Sequence, residues 1–368
     1  MSLIYLSPVP WASFSQRPHK FVEWFHRRTG RQVIWIEPYP TRFPRLSDFK
    51  RTASAKQEAD KAPPQWLKIL TPKALPIEPL PGSGWLNNGL WSSLISELKA
   101  LVGEREPLVV VGKPSVLALQ VLDVFNPKHS IYDAMDDFPA FYSGLSRMAM
   151  ARRETQLVQR VNKVWVSSTA LKTRWASTGA TVCFVPNALD EALIPSVSLT
   201  RDKSERKVFG YVGTIGAWFD WDWVLTLANV RSGDVIRLIG PVFSPAPFEL
   251  PSNVELLPPC AHAEALKAMC EFDVGLIPFK RSELTVSVDP IKYYEYRALG
   301  LPVISTDFGE MQFRESAAGT FICKALGDIY ASTVAATEFC DSPEKSKYFM
   351  MENTWSARFE AADVAGAL

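Results

Sequence analysis

Three carboxylates fall within five residues at Asp133, Asp136 and Asp137, inside the segment Tyr132-Asp-Ala-Met-Asp-Asp137. The residues before them, Ser130–Asp133, read as a strand, and Phe138, Phe141 and Tyr142 follow. Carboxylates crowded at a strand's end repel one another, which raises the pKa of at least one and poises it as a general base. Asp136 is the first candidate, ahead of Asp137 and Asp133; an acidic turn capping the next helix is the structural alternative. A second constellation is Lys292 and Glu295, three residues apart and therefore neighbours on one helical face. Their helix reads from Asp289 as N-cap and Pro290 at the first position to a stop at Gly300, with Leu301–Ile304 entering a sheet. A cation in a first turn is poorly placed for the helix and well placed for an anionic ligand, and an acid one turn later can accept from hydroxyls such as those of a ribose. The same spacing also suits an ordinary surface ion pair. Gly213-Thr-Ile-Gly216 follows the strand Val208–Val212, where glycines let backbone approach a phosphate closely. Arg17 and His19, in the loop after a first strand Leu3–Leu6, are candidates to meet an anionic acceptor or a sugar phosphate.

Such residues need sheets whose strand ends carry them. In the first half Val33–Ile36, Trp66–Leu70, Ala74–Ile77, Leu108–Val111, Lys163–Val166 and Val182–Val185 read as further strands, several of them apolar throughout as buried parallel strands are. Helices read between them, from Phe21, over Leu86–Leu101, over Val116–Val124, over Ser146–Val161, and after the cap Ser167-Ser-Thr169. Residues 40–65 form a basic, proline-bearing excursion with Arg42, Arg45, Lys50, Arg51, Lys56 and Lys61. Residues 191–206 lose periodicity and read as a linker, after which a second strand-and-helix series begins. The expectation is an α/β chain of two doubly wound domains, 1–190 and 207–350, facing each other across a cleft.

The totals narrow the function. At 368 residues there is length for two full cores, and no apolar run approaches the roughly 20 residues that span a bilayer. The opening Met1–Pro8 reads as a strand and not as a signal peptide. Cys183, Cys260, Cys270, Cys323 and Cys340 are scattered and lack CxxC spacing, which points to reduced thiols in the cytoplasm and away from a zinc site. Residues 1–190 hold 24 Lys and Arg against 15 Asp and Glu, whereas the remainder holds 16 against 24. The basic half suits an anionic membrane surface or a phosphate-bearing lipid acceptor, and no nucleic-acid motif accompanies it.

The order Val185-Pro-Asn-Ala-Leu-Asp190, Gly210-Tyr-Val-Gly-Thr-Ile-Gly216, Asp273-Val-Gly-Leu-Ile-Pro-Phe279, Lys292–Ser305 and Asn353-Thr-Trp355 resembles GT-B glycosyltransferases. The resemblance is strongest from 182 to 305 and points to bacterial transferases of exopolysaccharide and teichuronic-acid assembly, including xanthan-type glucuronosyltransferases. It implies a GT-B fold of two Rossmann-like domains, the first binding an acceptor and the second a nucleotide sugar, with a C-terminal helix, 351–368, crossing back. It implies a UDP-sugar donor, possible glucuronic acid among its sugars, a lipid-linked or oligosaccharide acceptor, no metal and no cofactor beyond the co-substrate. Gly213, Thr214, Ile215 and Gly216 would face the diphosphate, Lys292 a phosphate and Glu295 the ribose, with Phe279 and Tyr293 in the same motifs. Where many relatives carry a first glutamate eight residues before the second, this chain has Ser287, a departure that leaves sugar recognition open. The enzyme would work at the inner face of the cytoplasmic membrane, inverting with an Asp136 base. The alternatives are a nucleotide-sugar epimerase and a non-catalytic binding subunit of a polysaccharide assembly complex.

Overall fold

Short apolar-rich runs, each three to six residues long, build the strands of a computed structural model that describes residues 2–39, 63–75, 77–78, 83–194, 206–315, 317–362 and 364. The basic excursion, at 40–62, and the centre of the expected linker, at 195–205, lie outside the described residues. The chain divides into two units, one of Met1–Pro186 with Phe359–Leu368, the other of Asn187–Arg358.

In the first unit β1 (Leu3–Leu6), β2 (Val33–Ile36), β3 (Leu67–Leu70), β4 (Leu108–Val111), β5 (His129–Ala134), β6 (Lys163–Val166) and β7 (Val182–Phe184) form one parallel sheet in the order 3-2-1-4-5-6-7. Leu3 pairs with Val33 on one side and with Leu108 on the other, so the strand order reverses between β1 and β4. Beyond the carboxyl ends of strands at such a reversal, open α/β sheets bind their ligands. Helices α1 (Arg17–Thr29), α2 (Ser83–Leu90), α3 (Ser92–Val102), α4 (Val116–Phe125), α5 (Gly144–Val158) and α6 (Thr169–Ala176) connect and cover the strands. Ser168 caps α6, accepting from the Leu171 amide, as its sequence suggests.

Three local readings need correction. The helix expected from Phe21 begins four residues earlier, because the His19 ring accepts from the Gln16 amide and closes the first turn; Arg17 and His19 are thus helical. Of the strand expected over Ala74–Ile77, the described residues 74, 75 and 77 form none: the Leu75 backbone is bonded at both its N–H and its C=O to the Asn87 side chain. The single helix expected over Leu86–Leu101 is two, α2 and α3, meeting at the fully buried Trp91.

The second unit repeats the plan. Strands β8 (Val208–Val212), β9 (Val235–Ile239), β10 (Val254–Leu257), β11 (Val274–Ile277), β12 (Val303–Thr306) and β13 (Thr320–Cys323) lie parallel in the order 10-9-8-11-12-13. Around them stand α7 (Trp221–Val230), α8 (His262–Met269), α9 (Ile291–Ala298), α10 (Ile329–Glu338), α11 (Pro343–Glu352) and α12 (Trp355–Ala361). At the end of α12 the Phe359 ring belongs to the first unit, with its centroid 5.2 Å from that of Phe21 and 6.1 Å from that of Trp165. Among the described residues no helix is long and apolar enough to cross a membrane.

Two glycines fix the loop after β8. Gly240 has φ +143°, and a Cβ there would lie 2.1 Å from the Gly213 carbonyl oxygen, a contact no side chain survives. Gly240→Ala is therefore expected to destabilise the protein by at least about 2 kcal/mol, measured by chemical or thermal unfolding.

Candidate functional site

The first candidate site grows from the carboxyl end of β5. Asp133, inside that strand, is 1% exposed at its side chain and faces the equally buried Arg17 guanidinium. Arg17 Nε donates to both carboxylate oxygens at 3.0 Å, Nη2 donates to one at 2.6 Å, and Nη1 donates to the Val185 carbonyl at 2.7 Å. Both oxygens of Asp133 are thus taken up by the Arg17 guanidinium, so its side chain serves a buried pair and is not placed to receive a substrate proton. Arg17 itself anchors the site from below. His19 is likewise interior, its ring lying between Trp11 and Trp35 at centroid distances of 5.1 and 5.0 Å; burial, first of all, pushes its pKa down.

Asp137 is taken as well. Arg174 donates to it at 2.8 Å and, through its other terminal nitrogen, to Glu154 at 2.7 Å. Glu154, fully buried, also accepts from the Tyr132 hydroxyl at 2.6 Å, and its pKa is pushed up to about 7 by burial, against the pull of Arg174. Asp136 is different. Among the described residues its carboxylate has no hydrogen bond and no salt bridge, and it is only partly shielded from solvent. Its pKa is raised to about 7, chiefly by burial of the carboxyl group and further by the Asp133 and Asp137 charges, against the attraction of Arg17. Crowding of like charges, the cause expected from the sequence, is the lesser contribution; desolvation leads.

The second candidate site lies at the carboxyl edge of the other sheet, on α9 and the loops beside it. Glu295 is nearly buried and holds two partners: Lys292 Nζ on one oxygen at 2.5 Å and His262 Nε2 on the other at 2.8 Å. Burial pushes the Glu295 carboxyl up, but Lys292 and His262 pull it further down, so it lies below the usual carboxylate range. Lys292 keeps 24% of its side chain exposed. Helix α9 is seated by Tyr296, whose hydroxyl accepts from the Val212 amide at 3.1 Å and contacts the Gly210 carbonyl at 3.4 Å. A Cβ on Gly275 would lie 2.5 Å from the Tyr296 ring, so that glycine makes room for it.

The glycine-rich loop is partly spent on its own fold. The Gly213 amide donates to Ile239 and the Ile215 amide to Pro241, while the Ile215 side chain is wholly buried; Ile215 therefore shapes the loop and cannot reach a ligand. Among the described residues the amides of Thr214, Gly216 and Ala217 have no hydrogen-bond acceptor, and they are the donors left for an anion. Phe279 walls this loop, its ring 6.2 Å from Tyr211 and 6.5 Å from Trp218, and backbone bonds from Lys280 to Trp218 and from Asp220 to Pro278 tie the two segments. Ser287 is buried at the start of the turn into α9 and makes no side-chain hydrogen bond among the described residues.

Asp289 is not the N-cap of α9. The cap position is Pro290, without a side-chain bond, and the buried Asp289 carboxylate accepts instead from the Asn187 amide at 2.7 Å, the Tyr294 hydroxyl at 2.9 Å and Arg314 at 2.6 Å. Arg314 lies 3.8 Å from the Tyr293 ring centroid, which places the nearly buried Tyr293 ring in this cluster. His262, Arg174 and Arg314 escape sequence reading. His262 alone left a signal, as the first residue of a helix that follows a strand at the same edge. Among the described residues no group of three His, Cys, Asp or Glu side chains is arranged to hold a metal ion.

No protein-family model matches the chain. It is similar to TuaH of Bacillus subtilis (strain 168), provisionally named a teichuronic acid biosynthesis glycosyltransferase, at 26% identity over 213 residues, 48% of this chain and 50% of that protein. The chain thus spans about half the length of the curated relative it matches. Among solved structures, sucrose-phosphate synthase from Thermosynechococcus elongatus superposes with a TM-score of 0.70 at 12% identity, covering 100% of this chain and 98% of that one. The lipopolysaccharide outer core galactosyltransferase WaaB, in its apo form, gives 0.67 at 11% identity with both chains wholly covered. Anabaena HepE in complex with UDP and glucose gives 0.61 at 13% identity, covering 99% and 96%. These likenesses show the GT-B fold that the sequence resemblance implies.

The raised pKa of Asp136 has a sign. A carboxyl that holds its proton to about pH 7 when folded, against 3.8 ordinarily, contributes its full share of stability below pH 3.8 and loses it as pH rises through 7. Asp136→Asn, which removes that ionisation, is expected to raise the melting temperature at pH 8 by about 2 °C or more and to leave it nearly unchanged at pH 4. Glu154 titrates over the same range and stays in both proteins, so the difference between them isolates Asp136.

Proposed function

We propose that this chain is a glycosyltransferase that moves a sugar from a UDP-linked donor to a lipid-linked or polysaccharide acceptor in cell-envelope or exopolysaccharide assembly. The observation that carries the reading is Glu295 of α9 clasped by Lys292 of the same helix and His262 of α8, beside a glycine-rich loop whose amides at Thr214, Gly216 and Ala217 have no acceptor among the described residues, in a GT-B fold. Glu295, held ionised, suits a pair of ribose hydroxyls as donors. Lys292 turns from Glu295 to the diphosphate and, with the amides of Thr214 and Gly216, stabilises the negative charge that develops as the sugar–phosphate bond breaks. The second unit is thus the donor-binding domain and the first the acceptor-binding domain. Support for UDP comes from HepE, a fold relative solved with UDP and glucose, and support for an envelope polysaccharide from the name of TuaH. Glucuronic acid, glucose and mannose are the candidate sugars, and Ser287 stands where many relatives carry a glutamate that contacts the donor sugar.

Asp136 supplies the base. Its carboxylate takes the proton of the acceptor hydroxyl, the oxygen attacks the anomeric carbon, and the bond to the diphosphate oxygen breaks with its electron pair leaving on the diphosphate. Displacement by direct attack inverts the anomeric configuration. A pKa of about 7 leaves a substantial ionised fraction at neutral pH while keeping the group basic enough to accept. Arg17 and Arg174 position this carboxylate by fixing the acids on either side of it. The acceptor is bound at the cytoplasmic face of the membrane, where lipid-linked sugars are presented.

Thermal unfolding against UDP, GDP and their sugars tests the donor site. UDP at about 100 times its dissociation constant should add about 2.7 kcal/mol of stability, and Lys292→Ala should remove most of that gain. Stabilisation by no nucleotide would contradict the donor site, and a shift by UDP-sugar followed by isomerisation without any acceptor would favour an epimerase.

A further inference from the structure

Two partners hold Glu295, and they come to it from different parts of the second unit. Lys292 stands three residues before it on α9, whereas His262 opens α8. The turn into α8 is stiffened by Pro258 and Pro259 and closed by Glu264, whose Oε2 accepts from the Ala261 amide at 3.2 Å. Ala265, Leu266 and Met269 bury the inner side of that helix, so the imidazole is delivered from a fixed base. Each Glu295 oxygen accepts once, from Lys292 Nζ at 2.5 Å and from His262 Nε2 at 2.8 Å. Since Glu295 is held below the usual carboxylate range, the Nε2 that meets it carries a hydrogen. The partners differ in kind. An ammonium on a four-carbon stem, 24% exposed, can swing to a new anion; a ring turning on two bonds stays where its helix puts it.

We infer that His262 is the positioning residue of the donor site: it keeps Glu295 oriented and ionised when Lys292 leaves it for the diphosphate. The inference rests on the donor binding of the proposed function. Burial acts to protonate Glu295, and the Lys292 charge is the largest influence against it, followed by the hydrogen bond and charge of His262. A nucleoside diphosphate draws that ammonium to itself and brings negative charge of its own, and both changes push the carboxyl toward its protonated form. Once protonated, the carboxyl presents a donor where a pair of ribose hydroxyls needs acceptors. The Nε2–H of His262 is the bond that stays. No neighbour substitutes for it: burial pushes up the Tyr211 and Tyr296 phenols and the Cys260 thiol, which keeps them neutral, and Glu264 is engaged by the Ala261 amide.

Thermal unfolding of the full chain with and without UDP, between about pH 5.5 and about pH 8, tests it through His262→Ala and His262→Gln. Both variants should melt cooperatively without nucleotide, which shows an intact fold. In His262→Ala the UDP affinity should fall about threefold at about pH 8 and about tenfold further at about pH 5.5, because Glu295 takes up a proton as pH falls through its raised pKa. His262→Gln, whose amide can donate to the same oxygen, should recover most of the loss at both ends of the range. Ionisation of UDP itself is common to the three proteins, so the ratio of variant to wild type isolates Glu295. A loss in His262→Ala that is equal at both ends, no loss at all, or a Gln variant as weak as the Ala variant overturns the assignment and leaves the donor site standing. A wild type that UDP stabilises at no pH contradicts the donor site and the assignment together.

Discussion

A buried guanidinium sits at the root of the first unit. Arg17 spans from α1 to Asp133 at the end of β5 and to the Val185 carbonyl just past β7, so one side chain ties three parts of the sheet's carboxyl edge. Two charges withdrawn from water cost several kcal/mol of hydration each, and only close pairing with the remaining donors and acceptors satisfied offsets that. Here the pairing is bidentate and the spare guanidinium nitrogen finds a carbonyl. Loss of either partner would strand the other, at about 3–5 kcal/mol. The same pair creates the chemistry next to it. With Arg17 committed to Asp133 and Arg174 to Asp137, the carboxylate between them keeps a raised pKa and, among the described residues, no hydrogen-bonding partner.

The second unit uses charge pairing to the opposite end. Asp289 is buried and fully answered by Asn187, Tyr294 and Arg314, which fixes the turn that delivers α9. Glu295 on that helix is answered by Lys292 and His262, and both of those keep part of their side chains exposed. Under the proposed function, a ribose arriving at Glu295 would exchange one charge-assisted hydrogen bond for another, an exchange of small net cost. Lys292, so released, would stand in the first turn of its helix, the end that favours an anion. One acid is thus enclosed by buried partners, and the other is held by partners that keep part of their side chains in water.

Much of this was legible in the sequence because it is written locally. Apolar runs bounded by turn residues marked nearly every strand, and the doubly wound order follows from strands alternating with helices. Lys292 and Glu295 could be paired from spacing alone. Failures came where a distant side chain decided the local structure. Asn87 took the backbone of Leu75 out of a strand, and Arg314 and Asn187 drew Asp289 from the helix cap it would otherwise make. The three acids of the β5 loop looked alike in sequence and were separated by Arg17 and Arg174, which lie 116 and 37 residues away from their partners. His262 reached Glu295 across 33 residues. Spacing finds neighbours on a helix; it does not find partners across a sheet edge.

The most direct measurement is transfer itself, as kcat/KM against pH for release of UDP in the presence of a lipid-linked acceptor fraction, with the wild type and Asp136→Asn compared. A single base with a pKa of about 7 gives a rate that climbs tenfold per pH unit below 7 and levels above it. Asp136→Asn should then lose at least about 100-fold in rate at every pH while stabilisation by UDP is kept. A variant that transfers as fast as the wild type, or a profile without that rise, would contradict Asp136 as the base.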